Sequence, residues 1–170
     1  MSGVHRFTTR YDQVEDRIKL LVETKAGEVQ VLLLTRRLLN RLLPALLKGL
    51  AQAPAVQEVP RPQAQTAQRF AQAAAVSSIT RQKDVVPSEE TPQKEQAYLV
   101  SSIDLHRGKS NVTLDFKAGD QLLQSVPLGE DGLRQWLNMV FRQYQAGEWA
   151  EPFWPKWMTH DQTSADVRLN

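Results

Sequence analysis

Residues 18–27 read Ile18-Lys19-Leu20-Leu21-Val22-Glu23-Thr24-Lys25-Ala26-Gly27. Ile18, Leu20 and Val22 alternate with Lys19 and Glu23, the period of a half-buried strand. Lys25-Ala26-Gly27 reads as a hairpin connection. The pattern returns later as Val112-x-Leu114-x-Phe116, closing on Lys117-Ala118-Gly119. The two copies lie 94 residues apart at the strand and 92 at the glycine, so their loops differ by two.

Working outward, each copy has the same neighbours. In the first, residues 6–11 alternate as a strand, and Asp12-Gln13 with Glu15-Asp16 reads as a turn. After Gly27, Val29, Val31 and Leu33 continue as a third strand. Leu32 and Leu34 make that strand apolar on its other face too, as expected for one covered on both sides. Thr35 is an N-cap for a helix with Leu38, Leu39, Leu42, Leu43, Leu46, Leu47 and Leu50 on one stripe. Arg37, Arg41, Pro44 and Lys48 fall opposite. Pro44 should kink this helix and Gly49 should end it.

In the second copy, Leu99, Ile103 and Leu105 mark one strand, and Arg107-Gly108-Lys109 with Ser110-Asn111 a turn. Leu122, Val126 and Leu128 mark a third strand near Pro127. Glu130 and Asp131 favour a helix N-terminus. Leu133, Trp136, Leu137, Val140, Phe141 and Tyr144 form the stripe of that helix, and Gly147 is its C-cap. The reading is an α+β fold. Two similar β-β-β-α units, 1–50 and 98–147, share one core about a pseudo-two-fold axis, since one such unit alone is too small for a good core.

Residues 51–97 differ in kind. Ten Ala, nine Gln and five Pro make up about half of the stretch. So little apolar periodicity reads as a flexible linker. Residues 63–76 lack Pro and favour a helix, with Phe70 as the side chain to dock it. The remainder, 148–170, is an arm with Trp149, Phe153, Trp154 and Trp157, broken by Pro152 and Pro155, and then a polar, frayed end. The arm either plugs an apolar edge of its own chain or docks on a partner, where Trp is a frequent anchor.

The whole chain has 170 residues, no cysteine and a formal charge of +2. Absent cysteine excludes disulfides, Cys-based zinc, iron–sulfur clusters and a thiol nucleophile. No apolar run reaches the roughly 18 residues of a membrane span, and no secretory leader is seen at the start. The expectation is a cytoplasmic protein without a membrane partner. Charge is uneven, with +4 over 1–50, zero over 51–97 and −2 over 98–170.

Chemistry is sparse. His5, His106 and His160 make no helical ligand pair. Asp104 and His106, two apart, share a strand face, which suits a general base with its orienter, but spacing suggests no third group. Ser101, Ser102 and Ser110 lie near His106 without a nucleophile elbow. Glu15/Asp16 and Glu89/Glu90 are solvated charge, and no glycine-rich phosphate loop exists. No catalytic residue, metal or cofactor is assigned, and a hydrolase or metal enzyme is the least supported reading. The leucine-rich basic helix at 35–50 reads as a core cover rather than a lipid-surface helix.

In element order the two units resemble the Whirly class of single-strand DNA-binding regulators, a resemblance that covers both halves and rests on no motif. It implies a nucleic-acid partner lying on an exposed sheet. Arg6, Arg10, Lys19 and Lys117 are the outward cations for that role, with Glu23, Asp104 and Asp115 blunting their field. The leading expectation is a non-enzymatic protein-interaction or assembly module. Trp149, Phe153, Trp154 and Trp157 are its partner-binding residues, toward another protein or a second copy.

Overall fold

Alternation builds the first sheet. Strands β1 (Val4–Asp12), β2 (Arg17–Thr24) and β3 (Val29–Leu34) pair as an antiparallel meander. This is a computed structural model, and it describes residues 4–52, 61–78 and 96–159. Ile18, Leu20 and Val22 are buried on one face, with Leu32 and Leu34 of β3 beside them. Arg10 and Lys19 stand opposite each other on the other face. Asp12 Oδ1 accepts from Val14 N and Glu15 N, both at 2.9 Å, closing the β1–β2 turn. Gly27 takes φ +82° in the next turn, a conformation that favours glycine.

Helix α1 (Arg36–Ala51) begins where the Thr35 side chain accepts from Leu38 N at 3.2 Å. Leu39, Leu42, Leu43, Leu46, Leu47 and Leu50 are buried, and Arg37, Arg41, Pro44 and Lys48 are exposed. The helix runs past Gly49, contrary to expectation. That residue makes room instead. The Arg107 guanidinium lies where a Cβ would stand, and its Nη2 donates to Ala45 O at 2.7 Å.

The expected linker contains a full helix, α2 (Arg61–Ser77). Gln68, Gln72 and Ala75 are its buried residues, whereas Phe70 is 73% exposed. Phe70 therefore does not dock it, because glutamine hydrogen bonds do. The stretches 53–60 and 79–95 of that linker lie outside the described residues, as do the polar end from His160 and the Glu89/Glu90 pair.

The expected strand from Leu99 to His106 is two strands in two sheets. β4 (Gln96–Leu99) adds to β3 in parallel, with Leu33 opposite Leu99. The chain then crosses over. Val100 N donates to Leu33 O at 3.0 Å, and Ser101 N donates to Lys117 O at 2.8 Å. Adjacent residues thus belong to different sheets, and the boundary drawn at 97/98 falls inside β4. Strands β5 (Ser102–Arg107), β6 (Asn111–Ala118) and β7 (Gln121–Gly129) form the second antiparallel meander. A register shift at Phe116/Lys117 buries Leu123 and leaves Leu122 36% exposed. That shift inverts the face expected for Leu122. Pro127 sits in the edge strand β7, where a missing N–H is tolerated.

Helix α3 (Glu130–Ala146) follows, with its six expected stripe residues buried. Its Arg134 is buried as well. One core cluster runs through both meanders, α1, α3 and the Trp residues. The packing crosses over, with α3 against β1 and α1 against β5. A smaller cluster of Leu21, Val31, Val29 and Leu33 lies on the far face of the first sheet. The class is mixed α+β with two sheets. Among the described residues, no helix is long and apolar enough to cross a membrane.

Candidate functional site: an aromatic groove at the end of α3

The end of α3 sets the arm's direction. Trp149 N donates to Tyr144 O at 2.8 Å and Glu148 N to Gln145 O at 3.1 Å. This pair of bonds is a Schellman motif, which needs a left-handed residue just past the helix. That residue is Glu148, with φ +55°, and Gly147 before it has φ −85°. Gly147 is required for another reason. The Tyr11 ring comes within 2.8 Å of where its Cβ would be.

Two carboxylates anchor the arm. Asp16 Oδ1 accepts from Trp149 Nε1 at 2.9 Å and from Tyr11 OH at 2.7 Å. Both bonds hold its carboxyl below the usual aspartate range, with Tyr11 the larger cause. Glu151 accepts from Asn40 Nδ2 at 2.8 Å and from Arg36 Nε at 2.7 Å, which lowers it likewise. Asn40 Oδ1 in turn accepts from Tyr144 OH at 2.7 Å. Burial, then the Glu151 charge, pushes the Tyr144 phenol well up, so it stays a neutral donor.

Rings fill the space between these anchors. Tyr144 meets Trp149 edge-on at 5.1 Å and 87°, and Trp154 at 5.3 Å and 83°. Phe141 meets Trp154 at 5.0 Å and 64°. Trp149 and Trp157 are buried in the chain's own core, and Phe153 and Trp154 are half-buried against it. The arm thus packs on its own chain. It still leaves an open groove of about 840 Å³, lined by Phe141, Tyr144, Trp149, Ala150, Pro152 and Trp154 among others. Glu148 and Glu151 also line it. Glu151 is neutralised by Arg36, while no described residue pairs with the exposed Glu148. Of the groove's two indoles, Trp149 donates to Asp16, whereas Trp154 Nε1 is enclosed without a partner among the described residues.

The nucleic-acid set is divided between sheets. Arg6, Arg10 and Lys19 share one face of the β1–β2 pair, and Lys117 lies in the second sheet. Arg6 pairs with Glu23, Lys19 with Asp12 at 2.6 Å, and Lys117 with Asp104. The strand aromatics give no open stacking platform: Phe7, Tyr11 and Tyr98 pack on the core and Phe116 is buried.

Asp104 and His106 do share a strand face, and a third group is near. His106 Nε2 lies 3.1 Å from Asp115 Oδ2, and Ser125 Oγ donates to Asp115 Oδ1 at 2.5 Å. The set lies on an open sheet, where the His106 side chain is 61% exposed. Asp104 is held by Lys117, which lowers its pKa. Among the described residues, no group of three or more His, Asp or Glu is placed to hold a metal.

Sequence reasoning missed a buried polar cluster. Arg134 Nη2 donates to Gln68 Oε1 at 2.7 Å and to Glu130 Oε1 at 3.0 Å, and its guanidinium lies over Trp157. Gln68 Nε2 donates to Leu50 O at 2.8 Å and Gln72 Nε2 to Arg134 O at 2.9 Å. The signal was available, since Arg134 falls in the apolar stripe, one turn from Leu137.

Comparison with protein-family models, curated proteins and solved structures finds no match for the chain.

Proposed function

We propose that the chain is a non-enzymatic protein-interaction module, whose aromatic groove docks a partner segment bearing a positive charge. The open, ring-lined groove beside Glu148, which has no partner among the described residues, carries this reading. Apolar grooves with a few placed polar groups are the usual form of such sites, and Glu148 supplies the charge complementarity. Phe153 and Trp154 are the arm residues with surface left for a partner, while Trp149 and Trp157 support them from the core.

The scaffold proposed for this site is two β-β-β-α units, 1–50 and 98–147, related by a pseudo-two-fold axis. Reciprocal contacts support it. Gln124 Nε2 donates to Gln30 Oε1 at 2.9 Å, and these residues are themselves 94 apart, as equivalent positions across a two-fold would be. Tyr11 N donates to Gln143 Oε1, while Arg107 lies on Gly49, the position equivalent to Gln143. Asn40 bonds Tyr144, and its equivalent Arg134 reaches Leu50, the equivalent of Tyr144, through Gln68.

Selection from a random peptide library tests the groove. Ala150→Arg fills the groove with a side chain that also answers Glu148. Sequences enriched on the wild type and lost on this variant, with melting temperature unchanged, support docking. Enrichment that is indifferent to the substitution overturns it.

A further inference from the structure

Helix α1 carries no acidic residue, and we infer that its exposed face, with Phe70 of α2 at its end, binds a single strand of nucleic acid through phosphates and a stacked base. This surface uses other residues than the groove. It also differs from the sheet faces, where Arg6, Lys19 and Lys117 are answered by Glu23, Asp12 and Asp104.

The first observation is a row of cations. Arg37, Arg41 and Lys48 are exposed, and at 3.6 residues per turn they fall within about 40° of one another around α1, over about 16 Å of its length. Pro44 holds the remaining place in that row. A cation reaches this turn from the second half of the chain: the Arg107 guanidinium, from β5, donates to Ala45 O at 2.7 Å and lies over Gly49. Each turn of the helix thus presents one positive charge. Among the described residues, none of these four cations meets a carboxylate. Like charges one turn apart destabilise a helix. A ligand with negative charge repeated along its length relieves that repulsion.

The second observation separates the polyanions. A lipid surface takes an amphipathic helix by its apolar side, and that side of α1 is spent on the core, with no leucine exposed. An acidic protein segment needs the cations alone. Phe70 adds what neither of these uses. It is 73% exposed, and among the described residues it is the one exposed aromatic. Attachment of α2 does not explain it, because Gln68 and Gln72 hold that helix. Gln68 Nε2 donates to Leu50 O at 2.8 Å, which ties this part of α2 to the last turn of α1. Phe70, two residues on, therefore stands at the Lys48 end of the row. Cations that track a backbone and an open ring that stacks on a base are together the means of holding a single strand. A duplex keeps its bases inside its own stack, so the ring selects the unpaired strand. Phosphate and base are common to DNA and RNA, and both are tested.

The test titrates the full chain into labelled oligothymidylate and oligouridylate of about twelve nucleotides, read by fluorescence anisotropy. Four phosphate contacts give a slope of log affinity against log salt near −2.8, so affinity should fall about fiftyfold between about 50 and 200 mM salt. Binding of either strand with that slope supports the proposal. Arg41→Gln combined with Lys48→Gln should bring the slope to about −1.4 and weaken binding at low salt about tenfold. Phe70→Ala should weaken binding at least about fivefold at both salts and leave the slope unchanged. All three side chains are exposed, so the melting temperature should hold, and a purely structural role would not divide affinity from slope in this way. Absence of binding at low salt, or a slope unmoved by the glutamine pair, overturns the proposal. A duplex of the same length held as tightly, or Phe70→Ala without effect, overturns the single strand as ligand. Tighter binding of polyglutamate overturns it in favour of an acidic protein, and tighter binding of phosphatidylserine vesicles in favour of a membrane surface.

Discussion

Glu148 sits in a backbone region that disfavours every residue with a Cβ. Replacing it with glycine should stabilise the protein by about 1 kcal/mol, read as a higher melting temperature. The neighbouring position favours glycine for a steric reason. Gly147→Ala places a methyl group against the Tyr11 ring and should destabilise by about 2 kcal/mol, since β1 cannot move without disturbing its pairing with β2. Both positions at this helix end thus favour glycine, Glu148 because its backbone is left-handed and Gly147 because Tyr11 takes the room of a side chain.

The arm's two acidic anchors give it a pH dependence of definite sign. Asp16 and Glu151 titrate lower in the folded chain than in the unfolded one. Their contribution is fully present above the ordinary carboxylate range, at about pH 5 and higher, and disappears as pH falls through the lowered folded values. Near-ultraviolet circular dichroism, which reports the Trp149 environment, should therefore decline below about pH 4. Asp16→Asn should flatten that decline, because its amide oxygen still accepts while nothing titrates. An unchanged profile would mean that other carboxylates set the transition.

Helix α2 is attached by polar contacts, and this sets its behaviour as an element. Gln68, Gln72 and Arg134 form its seam, and the Arg134 side chain has no exposure. Arg134→Ala removes the partner of Gln68, the contact with Trp157 and a large buried volume. A loss of about 3 kcal/mol is expected, in line with breaking a buried charged network. Hydrogen exchange should show α2 losing protection first, while α1 retains the protection its six buried leucines give. Uniform loss across α1 and α2 would contradict the separate attachment.

The strands and long helices were legible because periodicity reports burial directly. Ile18, Leu20 and Val22, the α1 leucines and the α3 stripe all face where their spacing puts them. Alternation is silent about partners, however. The run from Leu99 to Leu105 breaks its alternation at Val100 and Ser101, where the chain passes from one sheet to the other, but nothing in that break names the two sheets. The bulge that turns Leu122 outward leaves no composition signal either. The helix propensity of 63–76 was legible, but the attachment of α2 was hidden, because docking by glutamine hydrogen bonds mimics a solvated face in a hydropathy pattern. The groove was legible only as ingredients. The Trp residues stood out, but the sequence cannot say that two of them anchor the core while Trp154 keeps a vacant donor.

At the scale of the molecule, each half relies on the other. Helix α3 covers β1 and helix α1 covers β5, and a single cluster of buried side chains joins them. Separate fragments 1–78 and 79–170 should therefore each lack a cooperative thermal transition. Mixed in equal amounts, they should regain one, with the tryptophan emission of the intact chain. A fragment that melts cooperatively alone would show that the shared core is not needed for folding.

The parallel pairing of β3 with β4 has a consequence for the order of assembly during synthesis. The first meander can close as soon as Leu34 leaves the ribosome, since its hairpins are local. Its edge at β3 stays open until Leu99 emerges. Translation at roughly 5–20 residues per second makes that interval several seconds long. Throughout it, the backbone of Val29–Leu34 presents unpaired groups flanked by apolar side chains on both faces. The nascent chain is thus most open to misassembly before β4 appears. Slowing translation between codons 35 and 99 should lower the yield of native protein more than slowing it after codon 130.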